Sequence, residues 1–416
     1  MNSTTKPKRI PIRAANDLKD VMSAYFTDLG RAAQNNHEKV AWCTSVGPAE
    51  LLRALGFHVH FPENHAAMMG TFRTANDYIP EAIAAGYSSE YSPICSYLTS
   101  DIGAYLNGKT PLARYGLDSV PNPDVLVYNT NQCRDVREWF AFYAKRLNVP
   151  LLGISAPHGV GVITEDHLDF QERQHAELIA PLEEISGNSY DESEMKRVLN
   201  LSLQTSRLWE QVLRTASAKP SPLTFFDSCI HMGPAVVLRG EPQANEYYEL
   251  LLQEMKERVN DGIGAVKEKF RIYWEGMPIW GKLRGLSELF AEHETCIVAS
   301  TYCNSWIFEG FSAYPSNPLR SMAKAYTEIF INRAEPEKQE YLKIMAETFN
   351  VDGFIYHNAK TCPSNSNTSY GLPKRLKDEI GMPYLVIDAD LNDLSYYAEA
   401  QATNRIEAFI EQLSGK

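Results

Sequence analysis

A chain of 416 residues exceeds one ordinary hydrophobic core and predicts two or three domains. Its 44% hydrophobic and 22% charged residues match a globular protein, and no run of about 18 apolar residues is present to span a membrane. A formal net charge of −12 opposes a phosphate backbone and speaks against non-specific nucleic-acid binding, though not against an anionic small ligand met by local basic groups.

The N-terminal stretch MNSTTKPKRIPIRAAND is basic but lacks the apolar core of a secretory signal. From about 16 to 38 the spacing predicts an amphipathic lead helix. KVAWCTSVG then reads as a buried strand, PAELLRALGF as a helix with proline in its first turn, and HVHFPEN as a short strand and a loop. PDVLVYNTNQC, DVREWFAFYAKRLNV and PLLGISAP repeat the strand, helix, strand rhythm of a parallel sheet. Residues 165–218 are helical throughout and read as a linking layer. FRIYWEG, ETCIVAST, DGFIYHNAKTC and MPYLVID supply a second set of strands. The expected architecture is α/β, with an N-terminal α/β domain over 1–160, a helical linking segment over 161–235 and a C-terminal α/β domain over 236–416. No strand is followed by a Gly-x-Gly-x-x-Gly or Walker A loop, so this chain is not expected to bind a nucleotide in either way.

The seven cysteines, odd in number and scattered, do not form a disulfide framework and point to a cytoplasmic protein with reduced thiols. Cys95 in SPICSYL, Cys133 in NTNQCRD and Cys362 in NAKTCPS lie just past apolar runs or in a loop entering a helix. Ligands gather beyond the carboxyl ends of parallel strands, and a helix N-terminus favours the thiolate that binds metal. Three isolated cysteines lack the paired spacing of structural zinc. They suit a [4Fe–4S] cluster with one iron left to another ligand, or else they are ordinary buried small hydrophobes. Cys43, Cys229 and Cys296 read as core, with Cys303 as a reserve ligand. His231 and His357 read as structural, and SAPHGVG, with His158 and Gly159, as a surface turn or a phosphate-meeting loop.

W-C-T-S-V-G-P at 42–48, F-P-E-N at 61–64, I-C-S-Y at 94–97 and N-Q-C at 131–133 run in one order with R-G at 239–240. W-E-G-M-P-I-W at 274–280, N-A-K-T-C at 358–362 and N-R-I-E at 404–407 continue it. In these motifs the chain resembles the benzoyl-CoA reductase/2-hydroxyacyl-CoA dehydratase family over nearly its whole length. The resemblance implies two flavodoxin-like parallel-sheet domains with a [4Fe–4S] cluster between them, held by Cys95, Cys133 and Cys362. It also implies a related subunit as heterodimer partner and a separate ATP-dependent [4Fe–4S] activator as electron donor. The implied chemistry is one-electron reduction of an acyl-CoA thioester to a ketyl radical anion. Glu63 is the implied proton-transfer group and Ser45 a hydrogen-bond donor to the thioester or cluster, against the alternatives of a loop carboxylate and a turn or cap serine.

Two reactions fit that resemblance. N-A-K-T-C-P-S, E-Y-Y-E-L-L at 246–251, I-V-A-S-T-Y at 297–302 and D-A-D-L-N-D at 388–393 are similar to the ATP-dependent benzoyl-CoA reductase subunits, which makes that oxidoreductase the leading expectation. W-C-T-S-V and F-P-E-N are similar to the (R)-2-hydroxyacyl-CoA dehydratases, lyases that eliminate water through the same kind of radical. A third reading, a non-catalytic iron–sulfur electron-transfer subunit, needs the cysteines but neither Glu63 nor an acyl-CoA cleft.

Overall fold

The computed structural model describes residues 10–35, 37–88 and 93–415. The basic run at 1–9 and the S-E-Y-S stretch at 89–92 before Pro93 therefore lie outside the described residues. The expected strands form two sheets of identical plan. β1 (Lys39–Cys43), β2 (Phe57–His60), β3 (Val125–Asn129) and β4 (Leu151–Ile154) are parallel in the order β2-β1-β3-β4. β5 (Phe270–Glu275), β6 (Thr295–Ser300), β7 (Gly353–Ala359) and β8 (Tyr384–Ala389) are parallel in the order β6-β5-β7-β8. Each has the flavodoxin-like sequence of strands, in which direction reverses between the first and third.

In the first half the helices are α1 (Ala15–Ala32), α2 (Ala49–Ala54), α3 (Pro62–Thr71), α4 (Ala75–Ala84), α5 (Ser96–Leu106) and α6 (Asp135–Leu147). Between the sheets run α7 (Glu165–Glu177), α8 (Ile179–Ser186), α9 (Glu192–Arg214), α10 (Phe225–His231), α11 (Gly233–Val237) and α12 (Pro242–Asn260). The second sheet carries α13 (Leu283–Glu292), α14 (Thr301–Asn304), α15 (Pro318–Thr327), α16 (Glu335–Thr348), α17 (Leu372–Ile380) and α18 (Glu399–Ser414).

Helices on both faces explain the unbroken apolar runs of β1, β3, β6 and β7, because a parallel sheet buried twice has no solvent side. The edge strand β8 instead alternates in burial. One continuous apolar cluster joins the halves, from Phe26 and Leu51 through Trp209 and Tyr247 to Trp274 and Phe409. Among the described residues no helix is long and apolar enough to cross a membrane.

Two expectations need correction. The lead helix stops at Ala32, short of the expected 38. F-P-E-N is not a loop: Phe61 is extended and Pro62 opens α3, so Glu63 stands in a helical first turn. Proline suits that place because its fixed φ matches the helix and its missing N–H would have had no partner there.

Candidate functional site

The carboxyl ends of both sheets face one cavity of about 410 Å³, and Ser45, Glu63, Cys95, Cys133 and Cys362 all line it. Ser45 follows β1, Glu63 follows β2 and Cys133 follows β3; Cys362 follows β7, and Cys95 is the residue preceding α5. The cavity thus occupies the place where open α/β sheets receive ligands.

Buried polar clamps fix the loops that carry these groups. Asp390, fully buried beyond β8, accepts from the Thr361 backbone N–H at 2.8 Å, from the Thr361 hydroxyl at 2.7 Å and from the Ser96 hydroxyl. The Ser96 backbone N–H in turn donates to the Thr361 hydroxyl at 2.9 Å. One carboxylate therefore locks the neighbours of Cys95 and Cys362 together, although they lie on different halves of the chain. On the other wall, Asn131 Nδ2 donates to the Val46 carbonyl at 3.0 Å, and the Asn129 N–H donates to the Thr44 hydroxyl at 3.0 Å. Those bonds join the Cys133 loop to the Ser45 turn. Gly276, at φ +99°, lets the chain leave β5 beneath this floor; a Cβ there would stand 2.8 Å from the His357 carbonyl oxygen.

The three thiols share an electrostatic problem. Burial holds Cys95 well above the ordinary thiol value, and the Cys362 and Cys133 sulfurs add to the push. Cys133 is pushed up to about 12 by burial and then by Asp135, and Cys362 is raised by burial and by Cys133. Backbone N–H groups of Tyr97 and Leu98 at Cys95, of Asp135 and Val136 at Cys133, and of Asn365 at Cys362 work in the opposite direction. Neutral buried thiols need no such donors, whereas metal-bound thiolates use them, and a bound cation removes the penalty outright. Among the described residues no three His, Cys, Asp or Glu side chains gather tightly enough to grip a single ion. Once deprotonated, three cysteine sulfurs are the soft donors that iron–sulfur chemistry uses, so the donor set fits such a group.

Glu63 is 8% exposed, and its Oε2 accepts the Ser45 backbone N–H at 2.5 Å. Burial raises its carboxyl to about 7, against the lowering from Ser45 and Arg239 and with a further push from Asp101. A carboxyl held near neutrality can both donate and accept a proton at working pH. Behind it, Asp101 shares a 2.5 Å hydrogen bond with His65 Nδ1 and accepts from Trp139 Nε1 at 3.0 Å and from the Tyr143 hydroxyl at 2.5 Å.

The rest of the wall is largely aromatic and aliphatic. Phe72, Tyr97, Tyr115, Trp280, Tyr302 and Trp306 line it, and Lys19 on α1 is its only cationic side chain among the described residues. Periodicity concealed this wall, since such residues read as core; the signals present were the closing tryptophan of W-E-G-M-P-I-W, Trp280, and the tyrosine of I-C-S-Y. Cys303 does not line the cavity: its sulfur lies 3.9 Å from that of Cys229, which does, and is buried. His231 bonds the Tyr247 hydroxyl and His357 the Met277 carbonyl, both as structural histidines, while His158 is exposed.

The chain is similar to known proteins over nearly all of its length. The family model described as 2-hydroxyglutaryl-CoA dehydratase, D-component, matches residues 44–413. The chain is 28% identical to the (R)-2-hydroxyisocaproyl-CoA dehydratase alpha subunit of Clostridioides difficile, over 95% of this chain and 94% of the relative. It is 29% identical to the (R)-phenyllactyl-CoA dehydratase alpha subunit of Clostridium sporogenes, over 92% of each. It is 26% identical to a subunit of the benzoyl-CoA reductase of Thauera aromatica, over 100% of this chain and 98% of the relative.

Proposed function

Because the chain belongs to the 2-hydroxyglutaryl-CoA dehydratase D-component family, we propose that it is the iron–sulfur subunit of an enzyme that activates an acyl-CoA thioester by one-electron reduction. The observation that carries this reading is the meeting of Cys95, Cys133 and Cys362 with Ser45 and Glu63 around a single cavity. The three cysteines would hold a [4Fe–4S] cluster, with one iron left to a non-cysteine ligand. Such a cluster, when bound, supplies single electrons at low potential.

The chain's own residues prepare the substrate. The apolar wall excludes water from the acyl group, which strengthens each polar contact inside. Ser45, which lines the cavity, would donate its hydroxyl to the thioester oxygen as negative charge develops there. Glu63, with its carboxyl near 7, exchanges a proton with the acyl group.

An arene-CoA substrate, reduced as in a benzoyl-CoA reductase, is the reading we favour. The rings of Phe72, Tyr97, Trp280, Tyr302 and Trp306 form a wall suited to a flat aromatic acyl group. Reduction of the ring consumes protons, for which protonated Glu63 is the donor. The second reading, an (R)-2-hydroxyacyl-CoA dehydratase, draws its support from the Ser45–Glu63 contact, because elimination of water needs a base at the β-carbon. The relatives are named as subunits, which supports a related subunit as partner; an ATP-dependent activator as electron source and a cytoplasmic, anaerobic setting belong to the same proposal.

The test is anaerobic purification with the partner subunit and an activator, followed by product analysis. A cyclic diene from benzoyl-CoA supports the reductase, an enoyl-CoA from a 2-hydroxyacyl-CoA supports the dehydratase, and turnover of neither overturns both.

A further inference from the structure

Close to the Ser45–Glu63 pair lies a buried cation, Arg239, that does not line the cavity. Arg239, 1% exposed and two residues past the end of α11, donates through Nη2 to the Gly47 carbonyl at 3.0 Å, two residues beyond Ser45. Its guanidinium also lies 5.6 Å from the centroid of the ring of Phe61, the extended residue immediately before α3, on which Glu63 stands. One side chain thus touches both segments whose meeting creates the 2.5 Å contact between Ser45 and Glu63.

The guanidinium is itself rigidly held. Nε donates to Glu50 Oε1 at 3.0 Å and Nη1 to the Val236 carbonyl at 3.0 Å. Glu50, fully buried on α2, also accepts from the Ser202 hydroxyl at 2.8 Å and from the Tyr326 hydroxyl. Asn131 completes the frame from the Cys133 side, with Nδ2 shared between the Val46 carbonyl at 3.0 Å and the Tyr326 carbonyl at 3.2 Å. A buried ion pair is a poor source of stability by itself, since desolvation offsets its attraction. What a planar five-donor fork provides is geometry, because it fixes several acceptors at once.

We propose that Arg239, seated by Glu50 and assisted by Asn131, is a positioning residue that holds the Ser45–Gly47 turn and the start of α3 so that the Glu63 carboxyl faces the cavity. This proposal rests on the functional reading above, in which Glu63 exchanges the proton. Misplacing a reacting group by about 1 Å from a distance can lower a rate about 100-fold.

The test compares Arg239→Met and Arg239→Lys with the parent enzyme, co-purified with its partner subunit. Iron content, kcat and KM for the acyl-CoA, and deuterium exchange at the Ser45 amide are measured on each. The Met variant is expected to lose about 100-fold in kcat with KM little changed, to keep its iron and to exchange the Ser45 amide faster. Lysine keeps the charge but reaches fewer acceptors, so its kcat falls between the two. A native kcat, or unchanged Ser45 exchange in either variant, overturns the proposal. If the Met variant does not fold, the Lys variant decides by the same criteria. The exchange measurement needs no substrate: faster Ser45 exchange with no turnover by the parent would break the functional reading and leave the positioning role supported.

Discussion

The two halves of the molecule share a strand order but not a chemistry. Superposed by topology, β1 corresponds to β5, β2 to β6, β3 to β7 and β4 to β8. The loop after β3 carries Cys133 and the loop after β7 carries Cys362, so the halves contribute one thiol each from equivalent places. Elsewhere they diverge. After β1 stands Ser45 and after β5 Met277; after β2 stands Glu63 and after β6 the buried Cys303. At these equivalent places the first half therefore presents a hydroxyl and a buried carboxyl, where the second presents a thioether and a buried thiol, while both halves supply aromatic side chains to the cavity wall. Cys95 has no counterpart by this scheme, because it precedes α5 in the long connection from β2 to β3. A repeated scaffold places two thiols equivalently, and in the proposed function the chemistry enters through the residues that break the symmetry.

The halves also contain a matched pair of carboxyls that separates environment from role. Glu63 and Glu275 are both buried, and burial raises each to about 7. Glu63 lines the cavity. Glu275, at the end of β5, is enclosed by Asn367 Nδ2 at 2.6 Å and by the Thr301 hydroxyl, with Lys338 nearby. A raised carboxyl alone does not mark a candidate catalytic group; access to the cavity is what separates Glu63 from Glu275.

The largest effects should come from the equivalent thiols. Cys133→Ser and Cys362→Ser should each lose the cluster and bring turnover to background, as judged by iron content and activity. If only one did so, the correspondence between the loops after β3 and β7 would fail as a description of ligation.

The carboxyl pair gives the next contrast. Glu63→Gln should lower kcat by about 100- to 10,000-fold with iron retained. Glu275→Gln, which keeps shape and most partners, should retain activity and lose about 1–3 kcal/mol of stability to the altered buried hydrogen bonds. Equal kinetic losses would erase the distinction drawn between the two halves.

The direction of the pH profile sharpens the role of Glu63. Its carboxyl sits at about 7, so the protonated form prevails below that and the carboxylate above it. If Glu63 donates to a ring, kcat falls about tenfold per pH unit above 7; if it removes a β-proton, kcat falls below 7 instead. In Glu63→Gln that limb should be gone. A limb that survives the substitution belongs to another group.

The smallest effect concerns a surface contact between α7 and α15. Arg320 reaches Asp169 at 2.7 Å, Glu172 at 2.6 Å and Glu165. Exposed ion pairs contribute little, so Arg320→Ala should cost about 1 kcal/mol or less in thermal unfolding and leave activity unchanged. A large loss would show that the contact between these helices governs the cavity as well.

The strands were legible because parallel sheets covered on both faces produce unbroken apolar runs, as in ETCIVAST and KVAWC. The positions just after them were legible for the same reason. Other features have no local signal. That Glu63 stands in a helix depends on Pro62, which reads equally well as a turn residue. That Asp390 joins the neighbours of Cys95 and Cys362, or that Arg239 spans from Gly47 to Phe61, arises from contacts between segments distant in sequence. Cys303 illustrates the converse: its place after a strand suggested a ligand, but the turn of α14 directs it into the core beside Cys229.

The central claim is that three sulfurs from distant loops hold one iron–sulfur cluster at this cavity. It is tested most directly by iron and sulfide analysis, with low-temperature electron paramagnetic resonance, of the anaerobically purified protein and its single Cys→Ser variants. The partner subunit is kept unchanged as a common background. The account predicts that Cys95→Ser, Cys133→Ser and Cys362→Ser each lose about four irons per chain and the associated signal, while Cys43→Ser, Cys229→Ser and Cys303→Ser keep both. Full iron retention in any of the first three, or the same loss in Cys303→Ser, would contradict it.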